Sequence, residues 1–207
     1  MRSLAFLLPL LALVAPSPSL VAADADGHVS LFVGQKWLDS NDWHTADKQS
    51  ELGVTMSFGR SDWPVSLAFD VFSSAREEDY VDPVLWNLGT ARFRGATTEI
   101  APGIRRIWNL GRTRPYVGGG MALVKASVEY DYPAVTYDAE DTTLGPWLGG
   151  GVFWRLGRWF NLGFDVRWSS ADVDLEVDED PLFGLNTYAY NVKAGGLHGG
   201  ITLGFGW

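Results

Sequence analysis

The chain holds three histidines, His28, His44 and His198, and no cysteine. A serine-based acyl-transfer or hydrolytic site needs a base beside the nucleophile and a carboxylate to orient that base. His28-Val29-Ser30 places a base and a hydroxyl two residues apart. His198 is followed by Gly199 and Gly200, so that pair is missing there. His44 has Asp42 and Thr45 beside it in a polar loop, a poor constellation. In Asp172-Val-Asp-Leu-Glu-Val-Asp-Glu-Asp180 the acidic residues alternate, which lines them along one edge of an extended segment. The run lacks the glycine that a calcium-binding turn needs, so it reads as a solvated acidic stretch. Gly118-Gly119-Gly120 and Gly149-Gly150-Gly151 precede no helix and do not make a phosphate loop. Glycine there relieves crowding where strands curve. No catalytic residue, cofactor or metal site is therefore assigned.

A further set of chemistry-bearing residues depends on the strands that carry it. Apolar residues alternate with small or polar ones along several segments. In 51–58 the apolar set is Leu52, Val54, Met56 and Phe58, with Glu51, Gly53, Thr55 and Ser57 opposite. In 65–72 it is Val65, Leu67, Phe69 and Val71, opposite Ser66, Ala68 and Asp70. In 160–169 it is Phe160, Leu162, Phe164, Val166 and Trp168, opposite Asn161, Gly163, Asp165, Arg167 and Ser169. Less regular strands are predicted near 28–38, 96–108, 115–129, 143–156 and 190–207. Eight such strands fit an all-β, antiparallel, up-and-down transmembrane barrel, each long enough to cross a bilayer when tilted. The polar faces then share a narrow lumen, which gathers Lys36, Glu51, Asp70, Glu99, Arg105, Arg155, Asp165, Arg167 and His198. A charge cannot be left unpaired there, because desolvation is expensive. An ionic network that fills the lumen is the expectation, as structural packing rather than a pore, since about eight strands leave room only for packed side chains.

The connections alternate in length. Residues 59–63, 109–114 and 156–159 make tight turns; 39–48, 73–95, 130–142 and 170–189 read as long loops. The turns carry Arg60, Arg112, Arg114 and Arg158, whereas the loops carry runs such as Glu77, Glu78 and Asp79. Trp63, Trp108, Tyr116, Trp154, Trp159 and Trp207 are expected in an aromatic girdle on the turn side, with Trp37 and Trp168 on the loop side. Tyr80, Val84, Leu85 and Trp86 add apolar groups to one acidic loop, to pack on the rim or to mark a contact surface. A soluble barrel would hide its apolar faces inside, which these small and polar opposite faces do not allow.

The two ends agree. Arg2 followed by the apolar run 4–14, then Pro16, Pro18 and the small residues Ala22 and Ala23, reads as a cleaved signal peptide over 1–23. The remainder, 24–207, is one barrel domain with 15 basic and 25 acidic residues, a net charge of −10 once Arg2 is gone. This acidity argues against nucleic acid as a partner. At the other end Ile201, Leu203, Phe205 and Trp207 share one face, backed by Gly200, Thr202, Gly204 and Gly206.

That last segment resembles the C-terminal strand of bacterial outer-membrane β-barrels, in which a terminal aromatic with apolar residues two, four and six positions earlier is the signal read by the barrel assembly machinery. With the signal peptide and the segment Arg-Pro-Tyr-Val-Gly-Gly-Gly from Arg114, the chain resembles the small outer-membrane barrel superfamily that includes the OmpA transmembrane domain, OmpX/Ail-type proteins and OmpW. The resemblance implies the cell outer membrane as location. It implies outer-membrane lipid and lipopolysaccharide, the assembly machinery and periplasmic chaperones as partners, and a monomer. The acidic loops are expected to be solvated, with binding of divalent cations, or an approach to lipopolysaccharide phosphates through them, as the alternative. Members that modify lipid A place His and Ser two apart on an outer strand face, at the outer leaflet. His28 and Ser30 stand at the periplasmic start of the first strand, so an enzyme is not expected. The function expected is a structural or surface-interaction role, with a narrow channel for small or apolar solutes as the alternative.

Overall fold

The computed structural model describes residues 25–43, 46–80, 91–131, 136–177 and 188–207. The period-two segments form strands β1 (Ala25–Trp37), β2 (Lys48–Arg60), β3 (Ser66–Tyr80), β4 (Ala91–Ile107), β5 (Thr113–Asp131), β6 (Thr136–Arg155) and β7 (Phe160–Ser169). A short hairpin, β8 (Asp172–Val177) and β9 (Tyr188–Lys193), precedes the last strand, β10 (Leu197–Gly206). Eight of these, β1 to β7 and β10, close into an antiparallel barrel in the order β1-β10-β7-β6-β5-β4-β3-β2. Closure is made by β1 and β10, with Leu31 opposite Leu203 and Lys36 opposite His198. The last residue is tied in as well: Gly27 N–H donates to the Trp207 carbonyl at 3.3 Å, and Trp207 N–H to the Gly27 carbonyl at 3.0 Å.

The alternation assigned to 51–58, 65–72 and 160–169 has the sides read from sequence. Leu52, Leu67, Phe69, Phe164 and Val166 are exposed, whereas Glu51, Asp70, Asp165 and Arg167 are buried. Exposed apolar side chains therefore coat the outside of the barrel. On β7 the band runs from Phe160 to Trp168, about 20 Å along the barrel axis for a strand of this rise and tilt. Trp63, Trp108, Trp154 and Trp159 are exposed at the turn end, and Trp37 and Trp168 at the other. Tyr116 departs from its expected girdle position. It is 3% exposed and points into the lumen, because the neighbouring glycines hid the face to which it belongs.

Parts of all four predicted loops are strand or helix instead. β3–β4 and β5–β6 run on as paired strands, to Tyr80↔Ala91 and Asp131↔Thr136, well beyond β2, whose pairing with β3 stops at Ser50↔Ala75. Region 39–48 holds a one-turn helix, α1 (Ser40–Trp43). Segment 170–189 is not a plain loop, and 190–207 is not one strand: β8 and β9 pair only with each other, from Asp172↔Lys193 to Val177↔Tyr188. Val173 and Leu175 of β8 are buried while Asp172, Asp174 and Glu176 are exposed, so the acidic alternation does line one edge. His44, Thr45, Asp82, Val84, Leu85, Trp86, Asp178 to Asp180 and the signal segment 1–23 lie outside the described residues, as does the side chain of Tyr80.

An apolar core thus forms where none was expected, on the inner face of the β4–β6 extension. Trp43 and Leu38 join Phe93, Val124, Ala126, Ala139, Val173, Leu175 and Ala194 there. Glycines make room for large side chains further down. A Cβ on Gly103 would come within 2.6 Å of the Trp147 ring, and one on Gly151 within 2.6 Å of the Tyr116 hydroxyl. Trp147 lies buried across that floor and donates its indole N–H to the Pro102 carbonyl at 3.1 Å. Trp147→Ala would leave a void this rigid floor cannot refill, so a loss of roughly 3–5 kcal/mol is expected in urea unfolding followed by heat-dependent gel mobility.

Candidate functional site

The inward residues of all eight barrel strands meet in one buried column. Lys36 Nζ spends its three donors on Glu99 Oε1, Thr97 Oγ1 and the Ala194 carbonyl, each at 2.8 Å. Arg167 reaches Asp70 Oδ2 and Glu99 Oε2, both at 3.4 Å, and so ties the two halves of the column together. Its guanidinium lies between two rings, 4.3 Å from Trp147 and 4.9 Å from Phe72. Arg105 bonds Asp70 Oδ2 at 2.8 Å and Ser57 Oγ at 3.0 Å, and stacks 4.9 Å from the Tyr116 ring. Tyr116 donates its hydroxyl to Asp165. Towards the turn end Phe153 stacks on Tyr116 and meets His28 edge-on, each at 4.5 Å between ring centres.

The remaining members sit above Arg167. His198 Nδ1 is 2.7 Å from Glu51 Oε1, and its Nε2 is 3.1 Å from Ser169 Oγ. Carboxylate, imidazole and hydroxyl thus have the order of a hydrolytic triad, although Ser169 lies 29 residues from His198 and no short-range spacing announces it. Ser169 is not free to act: its hydroxyl donates to Glu99 Oε1 at 2.9 Å. All three residues are 2% exposed or less. His28 and Ser30 also face the lumen, at the turn end, and His28 Nε2 and Ser30 Oγ have no hydrogen-bond partner among the described residues. Of the residues expected in the lumen, Lys36, Glu51, Asp70, Glu99, Arg105, Asp165, Arg167 and His198 converge. Arg155 stands apart, half-buried at the turn end, with no ion pair among the described residues. Sequence proximity does not decide the partners: Glu51 meets His198, Asp70 meets Arg105 and Arg167, and Arg167 bonds Asp70 and Glu99 rather than Asp165.

At the level of the column the lumen is closed. The gap lined by Asp70, Arg105, Tyr116, Trp147, Asp165 and Arg167 leaves no space for water. A cavity of about 10 Å³ at the turn end, lined among others by Asp26, His28, Ser57, Arg114 and Asn161, holds about one water molecule. Above the column, α1 and the β8–β9 hairpin form a cap. Trp43 donates its indole N–H to the Lys193 carbonyl at 2.8 Å. Lys193 N–H donates to Asp42 Oδ2 at 3.0 Å, and Lys193 Nζ to Asp39 Oδ2 at 2.9 Å. Asp174 N–H bonds Asp141 Oδ2 at 2.9 Å and ties β8 to β6. Among the described residues no group of three or more acidic or histidine side chains is placed to hold a metal ion.

Two outcomes follow from this arrangement. Arg167→Met removes the cation that Asp70 and Glu99 share and leaves them Arg105 and Lys36 alone, which should cost roughly 1.5–3 kcal/mol of unfolding free energy; adding Asp70→Asn should return part of it. In the cap, the hydrogen bond from Lys193, and then that from Asn41 N–H, holds the Asp39 carboxyl below its ordinary range. Folding therefore favours the charged carboxylate. The contribution is present above the unfolded value and is lost as pH falls through the lowered one. Proteolysis at the exposed Lys193 should accelerate in acid, and Asp39→Asn should lessen that pH dependence.

No protein-family model and no curated protein matches the chain. Solved structures do. The outer membrane protein OprG from Pseudomonas aeruginosa is 13% identical with a TM-score of 0.61, over 89% of this chain and 96% of that one. A major outer membrane protein from Thermus thermophilus is 13% identical with a TM-score of 0.61, over 88% and 98%. Ail of Yersinia pestis, in complex with the heparin analogue sucrose octasulfate, is 10% identical with a TM-score of 0.56, over 89% and 99%. The closed eight-stranded order, the apolar exterior and these likenesses along nearly the whole chain agree: the chain has the fold of the small eight-stranded outer-membrane β-barrels.

Proposed function

We propose that the chain is a sealed outer-membrane barrel that works through its outer surface, in a structural or surface-interaction role, and not by conduction. The closed lumen is the observation that carries this reading. An aqueous path would have to pass Arg167, held between two rings and two carboxylates, and then the apolar contacts of the cap. Lipid is the natural neighbour of the wall, because a closed sheet leaves no unpaired edge in hydrocarbon and the exposed side chains there are apolar. The surface left for a partner is the β3–β6 extension with its cap. Its exposed residues include Glu77, Asp79, Glu129, Asp131, Asp138 and Glu140, with Arg92 paired to Glu77 at 3.0 Å and Lys125 to Glu140 at 2.7 Å. Ail was solved with a sulfated heparin analogue. An acidic rim repels such a polyanion, so the partner favoured here is cationic, or reaches the rim through divalent cations.

Catalysis is not part of this proposal. The Ser169–His198–Glu51 array lies inside the closed column, where no acyl chain or sugar reaches it. The exported form is taken to begin after the signal segment, and Ile201, Leu203, Phe205 and Trp207 to be the strand read during assembly. Planar-bilayer conductance of the purified chain tests the central claim, with heat-dependent gel mobility as the control for folding. Folded protein without steady conductance is the expected result. Discrete channel steps that change on Arg167→Met would replace the sealed barrel with the narrow channel.

A further inference from the structure

The turn end carries a charge pattern that neither the lumen nor the outer rim explains. Between β4 and β5 the chain turns through Leu110 and Arg112; between β6 and β7 it turns through Leu156 and Arg158. The two turns touch, since Arg155 N–H donates to the Arg112 carbonyl at 2.8 Å. Their sector holds Arg106, Arg112, Arg114, Arg155 and Arg158, against which Asp26 is the acidic neighbour, 3.6 Å from Arg114. Arg106, Arg112 and Arg158 are exposed and form no ion pair among the described residues. Arg60, on the β2–β3 turn, differs, because Asp62 engages it at 3.1 Å.

The depth of these arginines is fixed by their neighbours. Leu110 and Leu156, at the turns, are 66% and 61% exposed, an arrangement that water disfavours and acyl chains or headgroups accept. Trp108, Trp154 and Trp159 stand exposed beside them, as aromatic rings do at a membrane boundary. The Arg158 guanidinium lies 5.2 Å from the Trp159 ring centre, which holds it at that level. Guanidinium groups at the headgroup boundary match phosphate oxygens in charge and in forked geometry. We infer that the adjoining turns 107–113 and 155–160 form a binding surface for the phosphates of anionic phospholipid in the leaflet on the turn side, through Arg106, Arg112 and Arg158. An acidic soluble protein would suit the charge. It would not account for the bare leucines and tryptophans at the same height.

The inference rests on the outer-membrane reading, and its test separates the two. The purified chain is reconstituted in phosphatidylcholine vesicles containing a minor fraction of either brominated phosphatidylglycerol or brominated phosphatidylcholine, and tryptophan quenching is compared. Heat-dependent gel mobility in plain phosphatidylcholine reports insertion alone; a chain that fails there overturns the barrel in lipid, whatever its lipid preference. For the inserted chain, quenching should show phosphatidylglycerol enriched about fivefold or more over phosphatidylcholine, falling with added salt. The triple variant Arg106→Gln, Arg112→Gln, Arg158→Gln should insert normally and lose the excess. Equal quenching by the two lipids, or an excess that survives in the triple variant, overturns the inference. Binding of fluorescent polyglutamate that the triple variant abolishes, without lipid preference, would overturn it in favour of an acidic protein partner.

Discussion

A backbone inside hydrocarbon has no water to bond, so every amide of the wall must find its partner in the sheet. Closure between β1 and β10 meets that requirement, and most other features follow from it. Once the sheet closes, each strand has an inside and an outside, and the two-residue period sorts side chains between a narrow lumen and lipid. The outer face is free to be apolar because nothing there meets water. The inner face cannot be emptied, since eight strands enclose a space only as wide as packed side chains. Its content must be dense, and its charges must be matched.

The lumen solves this in three layers of different chemistry. Phe153, stacked on Tyr116 and edge-on to His28, fills the turn end with rings. Arginine, lysine and carboxylates fill the middle. Small alanines and the rings of Trp43 and Phe93 fill the far end, beneath the cap. Glycines on the inner face give the large side chains their space, so the run of glycines in β5 and β6 is the complement of Trp147 and Tyr116. Arg105 Nε and Arg167 Nε are buried without hydrogen-bond partners among the described residues, although their terminal nitrogens are engaged. Each guanidinium is placed for its charge and its flat face more than for a full set of bonds.

How much of this the sequence carried depended on how regular each strand is. The faces of 51–58, 65–72 and 160–169 were legible because apolar residues alternate with small or polar ones, and Glu51, Asp70, Asp165 and Arg167 lie on the buried side. Tyr116 was placed outside because Gly118 to Gly120 carry no side chain to mark the phase. The cap was illegible for another reason. Asp172, Asp174 and Glu176 read as a solvated run, yet Val173 and Leu175 between them are buried against a sheet that exists only because β4 to β6 continue past the barrel. That burial is a fact of tertiary structure. So is the meeting of Glu51, Ser169 and His198, which come from three strands and share no spacing. Arg155 shows the converse: its alternation fits the lumen, but its height along the strand leaves it at the mouth.

The cap and the ionic column depend on each other. Pairing charges in a low-dielectric interior roughly breaks even against desolvation, and does so only when water stays away and geometry is held. In a column open at the loop end, water would reach Lys36 and Glu99 first, since these lie just beneath Ala194 at the base of β9. The Ala194 carbonyl takes one of the three Lys36 donors, so the chain leaving the hairpin is itself a ligand of the buried cation. A hairpin that lifted away would remove both the seal and one bond of the network. The buried lysine thus ties the fate of an exposed hairpin to the packing of the lumen, which is why a segment that reads as a hydrophilic loop is held in a fixed place over it.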